Sequence, residues 1–252
     1  MIELADKLLS LATSKLDIDT LYDDLTFPDG KDGLPYVVLN MVATVDGKAT
    51  IGGRSFPLGS KVDHVLMRKI RAAADMVLIG AGTLRAENVD FRMPDHLQEK
   101  RLARGLTGVP LAAVLSPSAD LPLDRTFFTS KQFTAIVLCT EQADPRKVKE
   151  LSSRVQVLSV GKAKVELRTM LSVLLADFGV KRLVVEGGPT LNFSLIEAGL
   201  ADELFLTICP KIVGGHETSI VQGTGFSPDR VPLLRLVSAH ACDNELFLRY
   251  AV

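Results

Sequence analysis

Three short stretches carry residues that can do chemistry, and each stands where an apolar run ends. In Val184-Val185-Glu186-Gly187-Gly188-Pro189-Thr190-Leu191-Asn192-Phe193-Ser194 a β-branched run stops at two glycines, and a proline and a helical pattern follow. Glycines bare the backbone, and proline suits a first helical turn because its missing N–H is not needed there. An anion can then approach free N–H groups at the positive end of a helix dipole. Glu186 stands at the strand end, where open α/β sheets bind ligands. The stretch Asn40 to Lys48 ends a strand and sets Asp46 and Lys48 two residues apart around Gly47, a carboxylate and an ammonium fit for proton transfer or phosphate contact, or else a solvated Asp-Gly turn. Gly80-Ala81-Gly82-Thr83-Leu84-Arg85-Ala86-Glu87 has the first half of a dinucleotide fingerprint but Arg85 where the third glycine belongs, which excludes a standard Rossmann unit. A fourth glycine turn, Pro210-Lys211-Ile212-Val213-Gly214-Gly215, reads as structural.

The elements that must position these residues alternate along the chain. Strands are expected at Tyr36–Ala43, Met76–Ile79, Leu111–Leu115, Ala135–Cys139, Val155–Leu158, Arg182–Val185 and Glu203–Pro210. Helices are expected at Lys61–Arg71 (Val65, Leu66 and Ile70 inward), Val165–Phe178 and Thr190–Glu197. A closing antiparallel pair is expected at Leu233–Ala239 and Glu245–Ala251. Continuous apolar strands between helices predict an α/β fold with three layers, a mixed and mostly parallel sheet covered on both faces. Residues 1–34 read as an N-terminal helical extension ahead of the turn-rich Phe27-Pro28-Asp29-Gly30, and 35–252 as a single domain.

Composition narrows the function further. The 252 residues are 47% hydrophobic and 23% charged with net charge −1, so nucleic acid is not an expected partner. No apolar run is long enough to span a membrane, and no secretory signal is evident, which predicts a cytoplasmic protein. Cys139, Cys209 and Cys242 read as free thiols, and four scattered histidines predict no metal site. Walker loops, Gly-x-Ser-x-Gly elbows and His-Glu-x-x-His motifs are absent. Glycine turns with carboxylates and a lysine suit chemistry carried by a bound cofactor.

Taken in order, Thr44-Val45-Asp46-Gly47-Lys48, Leu78 to Thr83, Val185 to Leu191, and Asp202-Glu203-Leu204 leading to Pro210–Gly215 resemble the reductase domain of riboflavin biosynthesis, which also forms the C-terminal half of bifunctional deaminase-reductases. The resemblance implies a dihydrofolate-reductase-like fold, NADPH as hydride donor, a homodimer, and reduction of the ribosyl group of a ribosylaminopyrimidine 5′-phosphate to ribityl. The zinc-deaminase motifs of the bifunctional enzymes do not occur in this sequence. Carried over by position, the resemblance assigns Gly187, Gly188, Pro189, Thr190, Leu191 and Asn192, with Gly80, Gly82, Thr83, Glu87 and Ser116, to the cofactor. Val42 or Ala43 would pack near the nicotinamide. Ser55, Arg71 and Glu186 would contact substrate, Arg71 as a phosphate fork, and Asp46, Lys48 and Glu186 would be catalytic. The family pattern Asp-Asp-Pro, followed by leucine and a phosphate-binding arginine, is replaced here by Glu87-Asn88-Val89-Asp90-Phe91-Arg92-Met93-Pro94, with Arg92 two residues early. That shift keeps two alternatives open: reduction of a pterin or another small heterocycle, and NADPH binding without catalysis.

Overall fold

The computed structural model describes residues 20–252. Nine strands form one sheet: β1 (Tyr36–Thr44), β2 (Met76–Gly80), β3 (Leu111–Leu115), β4 (Ala135–Cys139), β5 (Gln156–Ser159), β6 (Arg182–Val185), β7 (Glu203–Cys209), β8 (Arg235–Cys242) and β9 (Glu245–Ala251). Their spatial order is β5-β4-β3-β2-β6-β1-β7-β9-β8. The first seven in that order run parallel, β9 runs antiparallel to β7, and β8 runs antiparallel to β9. This is the mixed, mostly parallel sheet that the alternating pattern predicts.

The helices are α1 (Lys61–Ala72), α2 (Ala81–Ala86), α3 (Asp95–Ala103), α4 (Thr126–Thr129), α5 (Pro145–Ser152), α6 (Leu167–Phe178) and α7 (Pro189–Glu197). Strand side chains alternate between faces, so neighbours in sequence join different cores. Val77 and Ile79 pack with Ile70, Leu84 and Phe127 on one face, while Met76 and Leu78 pack with Met170, Leu174 and Leu195 on the other. Both faces of β2 and β6 are therefore covered, which explains why these strands read as unbroken apolar runs.

Two expectations need correcting. Val65 does not point into the core; it is exposed, and Leu66 and Ile70 carry the buried side of α1. The turn-rich segment is not a separator either. Leu25 and Phe27 belong to the core, the Phe27 carbonyl accepts from Arg182 Nε at 2.9 Å, and Asp29 pairs with Arg182 at 2.6 Å. Residues 20–34 are thus packed into the body, and the helical stripe expected over residues 1 to about 18 lies outside the described residues. The helices α3 and α5, which the sequence reading leaves unassigned, are short, nine and eight residues, and only α3 is weakly patterned. Arg101 of α3 is buried because its guanidinium donates to the carbonyls of Ala72 and Ala74, fastening α3 to the end of α1.

Candidate functional site

The site forms where β2, β6 and β1 end side by side. Gly80 N–H donates to the Gly187 carbonyl at 2.8 Å and Glu186 N–H to the Leu78 carbonyl at 2.9 Å, so the exits of β2 and β6 are tied together. A Cβ on Gly80 would stand 2.9 Å from Gly188 N, closer than side-chain carbons stand to backbone. Gly187 has φ +73°, open to glycine at little cost. The peptide bond between Gly187 and Gly188 is cis. Glycine at these positions is what lets two strand exits meet backbone to backbone.

Two clefts open there. The first, of about 730 Å³, is lined by Gly80, Gly82, Thr83, Gly187, Gly188, Pro189, Thr190 and Leu191, with Leu115, Pro117 and Lys164 on the far wall. No side chain caps the start of α7; Pro189 brings no N–H, the Leu191 and Asn192 N–H groups donate to the Gly188 carbonyl, and among the described residues the Thr190 N–H is left without a partner at this wall. A Cβ on Gly188 would stand 3.7 Å from Thr83 Oγ1, in the space a ligand would use. Bare backbone, an uncapped helix start and a long apolar floor fit a dinucleotide.

The second cleft, of about 600 Å³, is lined by Asn40, Val42, Lys61, Asp63, His64, Arg68, Arg71, Asp90 and Arg92 among others. Met41, Ala49, Ser55, Thr83, Glu87 and Glu186 line both clefts, so the two spaces share one wall. Glu186 is the member of that wall held by an ion pair. Arg71 Nε donates to Glu186 Oε1 at 2.7 Å and Arg71 Nη2 to Glu186 Oε2 at 2.6 Å, while Nη1 donates to the Asp90 carbonyl at 2.7 Å. The guanidinium also lies over the Phe91 ring at 5.3 Å. The pair is nearly sealed, with the two side chains 5% and 10% exposed.

These contacts redistribute the roles read from the sequence. The fork of Arg71, expected on a phosphate, is closed on Glu186 and fixes that carboxylate. Glu87 accepts from the backbone N–H and hydroxyl of Ser55 and from Phe56 N–H at 3.1 Å, so it pins the loop between the clefts. Arg92 lies on the second cleft but is paired with Asp90 at 2.6 Å on the surface. Asp46 and Lys48 line neither cleft. The Asp46 carboxylate bonds the Thr44 hydroxyl and accepts from Gly214 N–H at 2.7 Å, contacts that hold its pKa down at about 2. Lys48 Nζ donates to the Gly215 carbonyl at 3.1 Å. Both residues brace the turn after β7, because an Asp-Gly turn and a glycine turn meet there and need each other's side chains. Ala43, Ser116 and Asn192 are also off the clefts: all three are buried, and Asn192 Nδ2 donates to the Ile220 carbonyl at 2.8 Å.

Sequence reasoning missed Met41, Asp63, His64 and Arg68. The signal was available in part: Lys61, His64, Arg68 and Arg71 recur at helical spacing and form one polar stripe on α1. Asp63, beside it, is pushed up to about 6 by burial and by the charges of Glu245 and Glu186, against a lowering hydrogen bond with Thr207. Among the described residues no cluster of side chains could hold a metal, and no helix is long and apolar enough to cross a membrane. Cys139, Cys209 and Cys242 are free thiols.

Comparison with known proteins agrees with this architecture. A 2,5-diamino-6-ribosylamino-4(3H)-pyrimidinone 5′-phosphate reductase of Methanothermobacter thermautotrophicus is 30% identical over 86% of this chain and 98% of its own. One from Aquifex aeolicus is 32% identical over 86% of this chain and 96% of its own. The crystal structure of a pyrimidine reductase-like protein from Corynebacterium diphtheriae superposes with a TM-score of 0.76 at 25% identity, covering 86% of this chain and 92% of that one. Residues 35–248 match the RibD C-terminal domain, and the chain belongs to that family.

Proposed function

We propose that this chain is an NADPH-dependent reductase that converts the ribosyl group of a ribosylaminopyrimidine 5′-phosphate to ribityl. The observation that carries this reading is the shared wall: a backbone-lined cleft shaped for a dinucleotide meets a charged cleft along six residues, with Glu186 between them. Two ligands held on either side of such a wall are in contact range of each other, which is what direct transfer between them requires. The cofactor, when bound, supplies a hydride.

The protein's own residues divide the remaining work. Gly187 to Leu191 and the start of α7 would hold the pyrophosphate, with Gly80, Gly82 and Thr83 opposite. Arg85 and Lys164 line the same cleft and supply positive charge for a 2′-phosphate, which favours NADPH over NADH. Val42 and Met41 give the nicotinamide an apolar flank. Glu186, oriented by Arg71, accepts hydrogen bonds from the substrate. Lys61 and Arg68 have no ion-pair partner among the described residues and, with Arg92, are the cations facing the substrate phosphate.

Assembly as a homodimer is part of this reading. It is supported by β8, an edge strand with Leu236 and Val237 exposed, and by Leu233 beside it. A cytoplasmic setting is supported by the three free thiols.

The test is loss of NADPH absorbance with 5-amino-6-(5-phosphoribosylamino)uracil and its 2,5-diamino precursor, run beside dihydrofolate and dihydrobiopterin. Turnover of a phosphoribosylated pyrimidine is expected. The closure of Arg71 on Glu186 and of Arg92 on Asp90 favours the second reading, a substrate without phosphate, and turnover of the pterins alone would select it.

A further inference from the structure

Reduction of a ring-closed ribosylamine consumes one hydride and one proton. The C1′–O4′ bond breaks as the nitrogen lone pair forms a C=N bond. The electrons of the broken bond go to O4′, which takes the proton and becomes a hydroxyl. Hydride from the reduced nicotinamide then adds to C1′, and the C=N electrons return to nitrogen. The acid that supplies the proton must face the substrate cleft. Asp46 and Lys48 do not, and both oxygens of Glu186 are engaged as acceptors by Arg71.

We propose that Asp63 is the proton donor of this reaction, delivering its carboxyl proton to the sugar ring oxygen as the C1′–O4′ bond breaks. This rests on the reading of the second cleft as the substrate cleft. Asp63 stands in the first turn of α1 and lines that cleft together with Asn40, His64 and Met67. An acid at this helical position ordinarily reaches back to the backbone N–H of the capping serine. Here the Ser60 N–H donates instead to Glu245 Oε1 of β9 at 3.0 Å, and Ser60 also donates its hydroxyl to Glu245. The Ser60 hydroxyl still caps the helix by accepting from Val62 and Asp63 N–H, while Glu245 takes the Ser60 N–H that the Asp63 carboxyl would otherwise have met, so Asp63 is free to line the cleft.

Its surroundings keep it protonated longer than an ordinary aspartate. It is folded against Gly59, where an added Cβ would overlap the carboxylate. Glu245 from β9 and Glu186 from the β6 exit both face it with negative charge, Cys209 of β7 lies close by, and Thr207 of β7 gives it a hydrogen bond. On its own helix Lys61, His64, Arg68 and Arg71 line the same cleft. Burial and the two carboxylates together raise its pKa to about 6, within range of a group that must donate near neutrality and be reprotonated from solvent.

The experiment is the pH profile of kcat for the whole chain with the phosphoribosylaminopyrimidine, before and after Asp63→Asn, with NADPH affinity measured for both. For the unaltered chain kcat is expected to fall about tenfold per pH unit above the donor's pKa. For Asp63→Asn we expect kcat lower by about a hundredfold or more, KM and NADPH affinity within about threefold, and the alkaline limb gone. A flat profile in the unaltered chain overturns the proposal without any variant. So does an Asp63→Asn chain that binds NADPH and keeps kcat and its alkaline limb. An unaltered chain that binds NADPH but reduces no phosphoribosylaminopyrimidine overturns the substrate reading first, and the role of Asp63 with it.

Discussion

The two clefts share a wall but are made of different material. The first is built from backbone: glycines at the ends of β2 and β6, an uncapped helix start, and few charged groups. The second is built from charged side chains whose state depends on partners brought from far along the chain. Arg71 and Glu186 are 115 residues apart in sequence and meet at 2.6 Å. A cleft built mainly of backbone holds its shape without relying on ion pairs, which suits a dinucleotide bound in the same way in every turnover. A cleft of paired charges can discriminate among substrates, and it fails when one partner is lost.

The largest test of that contrast removes one half of the sealed pair. Arg71→Ala should lower stability by about 3–5 kcal/mol, because Glu186 is left buried without compensation. Denaturant titration measures this, and a loss below about 1 kcal/mol would mean that the charged wall is held by something other than its ion pair. A change of opposite sign is expected at Asp63. Its pKa is raised in the folded chain from 3.8 to about 6, so the folded state holds the proton more tightly than the unfolded one. Stability should therefore decline as pH rises from about 4 to about 6 and stay lower above that. Asp63→Asn should recover at most about 3 kcal/mol at neutral pH, read from melting curves at pH 4 and pH 7.5.

Next in size is Gly80→Ala, which drives a Cβ against Gly188 N at 2.9 Å. A cost of about 1–3 kcal/mol is expected in NADPH affinity, by fluorescence titration, with substrate-cleft residues undisturbed. Equal damage to substrate KM would show that the two walls move together. The smallest effect belongs to Asp90→Ala, which frees Arg92 from an exposed pair. Stability should change by less than about 1 kcal/mol, while KM for the phosphorylated substrate should fall.

The same difference of material decides what could be read in advance. The backbone cleft was legible because glycine is chosen for geometry: Gly80, Gly82, Gly187 and Gly188 declare their purpose by type and by position after apolar runs. The parallel sheet was legible for a similar reason, since strands covered on both faces have no polar alternation. The charged cleft was legible in membership, since Ser55, Arg71, Arg92 and Glu186 all line it, but not in what each side chain does there. A sequence shows that Asp46, Lys48, Glu87 and Arg71 are polar; it does not show whether a side chain faces a ligand, a loop or another side chain. Asp46 and Lys48 turned out to brace the glycine turn at 213–215, Glu87 to hold the Ser55 loop, and Arg71 to clamp Glu186. Asp63 was passed over because the Glu245 that takes the Ser60 N–H in its place comes from the far end of the chain.

One helix has a reach beyond its own cleft. Every residue that α1 gives to the site, from Lys61 to Arg71, lines the charged cleft, and none lines the backbone cleft. The helix therefore serves one cleft alone, although six residues elsewhere in the chain serve both. The helix is a cassette: grafting a different polar stripe onto it, with Leu66, Ile70 and the Arg71 clamp kept, would retarget the enzyme to a new acceptor while leaving its source of reducing power in place.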